Sequence, residues 1–150
     1  LAWSLRHNPR VVVMERTNAR DLTPDQFPAP FAPLDLVVID CSFISLRKIL
    51  PAAVALLKLS GRIVALIKPQ FEAGKKDVAR GEGVIRDPEI HRQVLLDVLN
   101  FAQAEGWNVR GLIRSPLLGP KGNVEFLAWL GLSESDADVS ALVEALIDQS

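Results

Sequence analysis

Three short runs dominated by apolar residues stand out along the chain: Arg10–Met14 (RVVVM), Leu34–Ile39 (LDLVVI) and Ile63–Ile67 (IVALI). They are nearly continuous and rich in Val and Ile. That pattern predicts parallel strands covered on both faces, where neither side of the pleat is polar. Two later runs, Val109–Ile113 (VRGLI) and Val124–Leu130 (VEFLAWL), alternate more, and the turn-rich SPLLGPKGN joins them. They predict an antiparallel hairpin at the end of the sheet.

Helices are predicted between the strands. Ser45 can cap a helix reaching about Leu59, with Gly61 ending it and Pro51 kinking or restarting it. Asp87, Pro88 and Glu89 supply a cap, a first-turn proline and an acid at the positive end of the helix dipole. Ile90, Val94, Val98, Phe101 and Ala102 then share one face until Gly106. Val139, Leu142, Val143, Leu146 and Ile147 form another apolar stripe. Strands alternating with helices predict an α/β fold with a mostly parallel, doubly wound sheet. Two stretches resist regular structure. Thr23–Pro33 holds four prolines and reads as a rigid connection. Gln70–Arg86, with Gly74, Gly81, Gly83 and mixed charge, reads as a long mobile loop or lid.

Composition narrows the classes. A chain of 150 residues fits one domain with a real core. A formal net charge of −1 gives no large electrostatic footprint for nucleic acid. The single cysteine, Cys41, excludes an internal disulfide and suits a reducing cytoplasm. One Cys and two distant His argue against structural zinc. No segment has membrane-spanning length and apolarity, and Arg6, His7 and Arg10 interrupt any signal-peptide pattern. The first residue is Leu, inside a helix-like stretch, which leads to the expectation of a fragment of a longer protein.

Three ionisable residues sit at strand edges. Asp40 directly follows Ile39, Lys68 directly follows Ile67, and Glu125 lies early in the last run. In open α/β sheets, ligands bind outside the carboxyl ends of the strands. All three are therefore expected to converge on one cleft. Asp40 could equally cap the following turn. A lysine at the mouth of a buried strand is awkward as mere structure. A buried Glu125 would need a charged partner, and Lys68 would serve. Lys121, in GPKG, and Lys75, Lys76, Arg80 and Arg86 could touch phosphates, although a turn and a solvated loop are the default readings. His7 and His91 read as structural, Trp3, Trp107 and Trp129 as packing residues, and Cys41 as a small buried residue beside the site.

VVIDCSFISL, ALIKPQFEAG, GVIRDPEIHRQVL, GPKGNVEFLAWL and VVVMERTNARDL together resemble the TlyA (hemolysin A) family of FtsJ-like ribosomal RNA methyltransferases. The resemblance runs from the first residues to about Leu132. It implies a Rossmann-like class I methyltransferase fold, S-adenosylmethionine as cofactor, and methylation of ribose 2′-hydroxyls in ribosomal RNA. FtsJ-like enzymes use a Lys-Asp-Lys-Glu set, and by motif Asp40, Lys68 and Glu125 match its last three members. The resemblance implies that residues 1–150 hold strands 3 to 7 of the domain. The first lysine, the glycine-rich cofactor loop, the first two strands and an S4-type RNA-binding domain would lie outside this sequence. Glu15, Thr17 and Asn18, with Asp40 and Phe43, would supply the adenine side of the cofactor site. The fragment is expected to be inactive alone.

Methyl transfer to a hydroxyl demands alignment and removal of a proton. Free lysine is protonated at neutral pH. Lys68 could therefore act as a base or as a cation steering the hydroxyl, and the residue types leave both open. The implied partner is ribosomal RNA or a ribosomal subunit, in the cytoplasm and without a membrane. A non-catalytic RNA- or ribosome-binding module and a pore-forming hemolysin are the competing readings. Arg10–Met14 is expected either to pair with Leu34–Ile39 through a crossover or to leave sheet edges that pair with a second copy.

Overall fold

The computed structural model describes residues 1–132 and 137–148. Four strands form one sheet: β1 (Leu34–Ile39), β2 (Leu57–Ile67), β3 (Asn108–Arg114) and β4 (Phe126–Gly131), in the order β1-β2-β4-β3. β1 and β2 run parallel, and β4 runs antiparallel to both β2 and β3. The α/β class and the terminal hairpin are as the sequence pattern predicts. The sheet is mixed rather than mostly parallel and doubly wound as predicted: among the described residues one pairing is parallel and two are antiparallel, because β4 returns between β2 and β3, and one face is left partly exposed. Around it lie α1 (Trp3–Arg6), α2 (Leu50–Val54), α3 (Pro69–Glu72), α4 (Lys75–Arg80), α5 (Pro88–Ala104) and α6 (Val139–Ile147).

One face of the sheet makes the core. Ile39, Ile63, Ala65, Ile67, Val109, Ala128 and Leu130 are buried there against Leu95, Val98 and Leu99 of α5 and Val143 of α6. Each fully buried aliphatic side chain stabilises the fold by about 1.5–3 kcal/mol. α5 starts as predicted: Asp87 accepts a hydrogen bond from the Glu89 N–H, and Pro88 occupies the first turn. Gly106, at φ 87°, supplies the left-handed residue that ends it. The opposite face carries exposed Leu36, Val38, Ile113 and Trp129. The guanidinium groups of Arg62 and Arg110 lie over the Trp129 ring, 5.5 and 5.8 Å from its centroid. Trp107 is a core residue, as expected, but Trp3 is exposed.

Three predicted elements differ. Arg10–Met14 is not a strand: it joins no ladder, and Val12 is exposed. A five-residue apolar run does not specify its own partner. The chain after it turns through two short 3₁₀ segments, Ala19–Asp21 and Pro24–Gln26, and Ala19 packs on the core. That route keeps the run away from β1, so the crossover pairing does not form and the outer edge of β1 stays unpaired among the described residues. The Ser45–Leu59 helix is also shorter than predicted. Ser45 caps a 3₁₀ turn, Pro51 restarts the helix as α2, and β2 begins at Leu57. Gly61 lies inside β2, where the register with β1 shifts. A Cβ there would sit 2.7 Å from Leu57 Cδ2 and 2.8 Å from the Lys58 carbonyl oxygen. The close approach of neighbouring chain, rather than a helix stop, explains this glycine.

Gln70–Arg86 contains α3 and α4 instead of an open loop. Its far end is pinned. Asn123 accepts a hydrogen bond from the Ile85 N–H and donates to the carbonyls of Gly83 and Pro120. The His91 ring Nε2 meets the Ile85 carbonyl at 3.0 Å, and the ring stands edge-on to Phe126.

Burial is the main cause that pushes the His91 pKa below its usual value; Arg114 adds to this, while the Ile85 carbonyl and Asp87 oppose it. The unfolded chain therefore takes up a proton near pH 6.5 that the folded protein resists. Stability should fall as pH drops from 7.5 through 6.5 to 5.5. Denaturant midpoints across that window test this, with His91→Gln as the comparison. An equal pH slope in the two proteins would contradict the assignment.

Candidate active site

The sheet register brings the three strand-edge residues to one end. Ile67 ends β2 and pairs with Phe126, the first residue of β4. Lys68 and Glu125 therefore leave neighbouring strands at the same edge. β1 runs parallel to β2, so Asp40 emerges there too. Lys68 is buried, at 8 % exposure, and its Nζ lies 2.5 Å from Asp40 Oδ1. It also donates to Ser42 Oγ at 3.3 Å. The Asp40 side chain is 66 % exposed, so water screens the pair and its net contribution is modest. Its structural value is that it satisfies a cation held below the surface.

Glu125 is buried, at 5 % exposure, but its partner is not the expected one. Gln70 Nε2 donates to Glu125 Oε1 at 2.8 Å. Gln70 arrives there because Pro69 turns the chain out of β2 into α3, whose first residues follow Lys68 directly. The Lys68 carbonyl accepts the Phe71 and Glu72 N–H groups, which fixes that turn. The amide oxygen of Gln70 is buried with no hydrogen-bond partner among the described residues, an acceptor unused beside the site. Glu72 closes the other flank. It accepts from Ser45 Oγ at 2.6 Å and from the Leu46 N–H at 2.7 Å, tying α3 to the loop after β1.

Sequence reading missed Gln70 and Glu72 as members of the site, because it placed both in an open loop. Their position immediately after a strand-ending Lys-Pro was the available signal. Gly119 is a further member. A Cβ on it would lie 2.2 Å from Glu125 Oε1, so only glycine leaves room for the carboxylate.

The remaining candidates divide. Asp40 and Cys41 line a cleft of about 220 Å³ along the outer edge of β1, closed by Ala19, Leu22, Ala52 and Ala53. Burial is the main cause that raises the Cys41 thiol pKa; Asp40 adds to it and Lys68 opposes it. A neutral thiol suits a lining role. Glu15, Thr17 and Asn18 are not brought to this cleft. Glu15 pairs with Arg6 at 2.5 Å, Thr17 bonds the Glu15 carbonyl, and Asn18 caps the 3₁₀ turn by accepting the Arg20 N–H. Phe43, at φ 62°, is exposed and packs on Phe71 with ring centroids 4.8 Å apart.

S-adenosylmethionine fits these residues in part. The cleft is apolar with Asp40 as its one charged lining residue, which suits the flat adenosyl end. Its volume falls below the roughly 300–1,000 Å³ usual for whole ligands.

Comparison with known proteins agrees with the motifs. A family model described as FtsJ-like methyltransferase matches residues 1–132. The chain is 51% identical over 141 residues to a 16S/23S rRNA (cytidine-2′-O)-methyltransferase TlyA of Mycobacterium tuberculosis, covering 94% of this chain and 51% of that protein. It is 38% identical over 128 residues to a hemolysin A of Brachyspira hyodysenteriae, covering 85% of this chain and 52% of that protein. The solved structure of a proposed hemolysin from Streptococcus thermophilus superposes with a TM-score of 0.90 at 42% identity, over 99% of this chain and 53% of that one. The chain thus spans about half the length of the curated relatives it matches.

Two substitutions test the geometry. Gln70→Leu leaves the buried Glu125 carboxylate without its donor and should cost about 1–3 kcal/mol in denaturant unfolding. Gly119→Ala should displace the carboxylate, visible in a crystal structure as a broken Gln70–Glu125 hydrogen bond. Unchanged stability in the first or an unmoved carboxylate in the second would contradict this description.

Proposed function

Because the chain belongs to the FtsJ-like methyltransferase family, we propose that the protein carrying it methylates ribose 2′-hydroxyls of ribosomal RNA with S-adenosylmethionine. The observation that carries the reading is the buried Lys68 ammonium, held 2.5 Å from Asp40 at the carboxyl ends of β1 and β2, with Glu125 entering from β4. The names of the Mycobacterium tuberculosis relatives support the substrate class. We assign residues 1–150 to the later strands of the methyltransferase domain, acting in the cytoplasm.

Bound S-adenosylmethionine would supply an electrophilic methyl group. Asp40 and the apolar cleft beside it would hold its adenosyl end. Lys68 orients the target hydroxyl and stabilises negative charge developing on its oxygen. Asp40 and Ser42 fix the ammonium's position. Glu125, held by Gln70 and by the space at Gly119, would supply a carboxylate acceptor for the hydroxyl proton at the same edge. The unpaired edge of β1, beside exposed Leu36 and Val38, is suited to a further strand, including one from a second copy. Relatives named hemolysin raise a membrane reading; no helix among the described residues is long and apolar enough to cross a membrane.

The test uses the full-length protein with S-adenosylmethionine and ribosomal subunits, reading ribose methylation by mass spectrometry. Lys68→Ala should reduce transfer at least about 10²-fold without changing the fold by circular dichroism. A methyl group on a base, or transfer by the variant at the unsubstituted rate, would contradict the assignment. The 150-residue chain alone should bind S-adenosylmethionine weakly or not at all, because its cleft covers one end of the cofactor. Tight stoichiometric binding in calorimetric titration would show that the cleft is a complete site.

A further inference from the structure

A second recess opens between the end of α4 and the turn that leads into β4. It measures about 430 Å³ and is lined by Arg80, Gly81, Glu82, Val84, Arg86 and Lys121. Three basic residues and one acidic residue thus line one space, in a chain whose formal net charge is −1. Arg6, Lys58, Lys68 and Arg92 each have a carboxylate partner within ion-pair distance. Arg80, Arg86 and Lys121 have none among the described residues, a state they share with other surface cations such as Arg47 and Lys48; what sets them apart is that all three line one recess.

This recess is built, not a flexible charged loop. Lys121 Nζ donates to the Glu82 carbonyl at 3.2 Å, which aims the ammonium across the recess. Glu82 and Lys121 both adopt left-handed backbone, at φ 52° and 58°, a conformation that residues with side chains rarely take unless their surroundings impose it. Asn123 ties together the segments that carry both residues. It is 2 % exposed and clamps both walls through its bonds to Ile85, Gly83 and Pro120. The same turn carries Gly119 and leads into Glu125. The recess and the acid of the candidate active site are therefore set by one piece of backbone.

We propose that this recess binds a backbone phosphate of the RNA strand whose ribose is presented to Lys68. Two arginines and one lysine lining a polar hollow supply donors that match the oxygens of a phosphodiester: arginine offers paired donors and lysine a point charge. Such contacts fix the register of the strand without reading its sequence. Asn123 keeps the phosphate site and Glu125 at a constant spacing, so docking there sets where the target ribose falls. The proposal rests on the RNA methyltransferase reading above.

The test is binding of a labelled ribosomal RNA transcript to the full-length protein across a salt series, alongside methyl transfer. The R80Q/R86Q/K121Q variant should bind at least tenfold more weakly at low salt. Its log–log salt dependence should shrink by about 0.7 for each phosphate that is no longer neutralised. R80K/R86K/K121R should restore most of the affinity. Lys58→Gln, which removes a charge at the opposite end of β2, should leave binding unchanged. If the triple variant does not fold, the three single variants carry the test with smaller, graded losses. Unaltered affinity and salt slope in the neutral variants, or no RNA binding by the unsubstituted protein, overturns the recess. Loss of binding in the variant, combined with no methyl transfer by the unsubstituted protein, overturns the function reading and leaves the recess standing.

Discussion

The upper end of this sheet is organised around keeping one ammonium group, that of Lys68, below the protein surface. A buried cation without partners is strongly unfavourable, so a neighbouring strand must deliver oxygen atoms to it. β1 does so through Asp40 and, after the turn, Ser42. Parallel pairing of β1 with β2 makes that delivery automatic, because both strands end at the same edge. Antiparallel pairing of β4 brings its first residues to that edge as well. The chemistry at the site and the topology of the sheet are therefore one constraint.

A second buried charge, on Glu125, is handled by a different device. Its donor is the Gln70 amide, carried on α3 immediately after Lys68. The Lys-Pro-Gln-Phe-Glu run thus performs three tasks in five residues. It presents the cation, turns the chain out of the sheet, and returns Gln70 and Glu72 to bind Glu125 and the loop after β1. This compactness explains why a four-residue helix persists where isolated helices of that length are unstable.

Much of this was legible in the sequence, for identifiable reasons. Asp40, Lys68 and Glu125 could be placed because each abuts a strong apolar strand, and strand polarity fixes which end binds ligands. α5 could be placed from its Asp-Pro-Glu start. Arg10–Met14 could not, since an apolar run carries no information about which edge it meets, and here it meets none among the described residues. Gly61 misled because a glycine at a close chain approach and a glycine ending a helix look alike in one dimension. Gln70, Glu72 and Asn123 escaped because their roles depend on residues 26 to 55 positions away, or on clamping two separate loops. Hydrogen-bond partnerships of that range leave no periodic trace.

If Lys68 and Asp40 act as one unit, a double-mutant cycle on methyl transfer by the full-length protein reveals it directly, using Lys68→Met, Asp40→Asn and both together. A functional unit loses its activity at the first substitution, so the double variant should be about as impaired as Lys68→Met alone. Losses that simply multiply would mean that the two residues contribute independently, contradicting the view that Asp40 works through the lysine it holds.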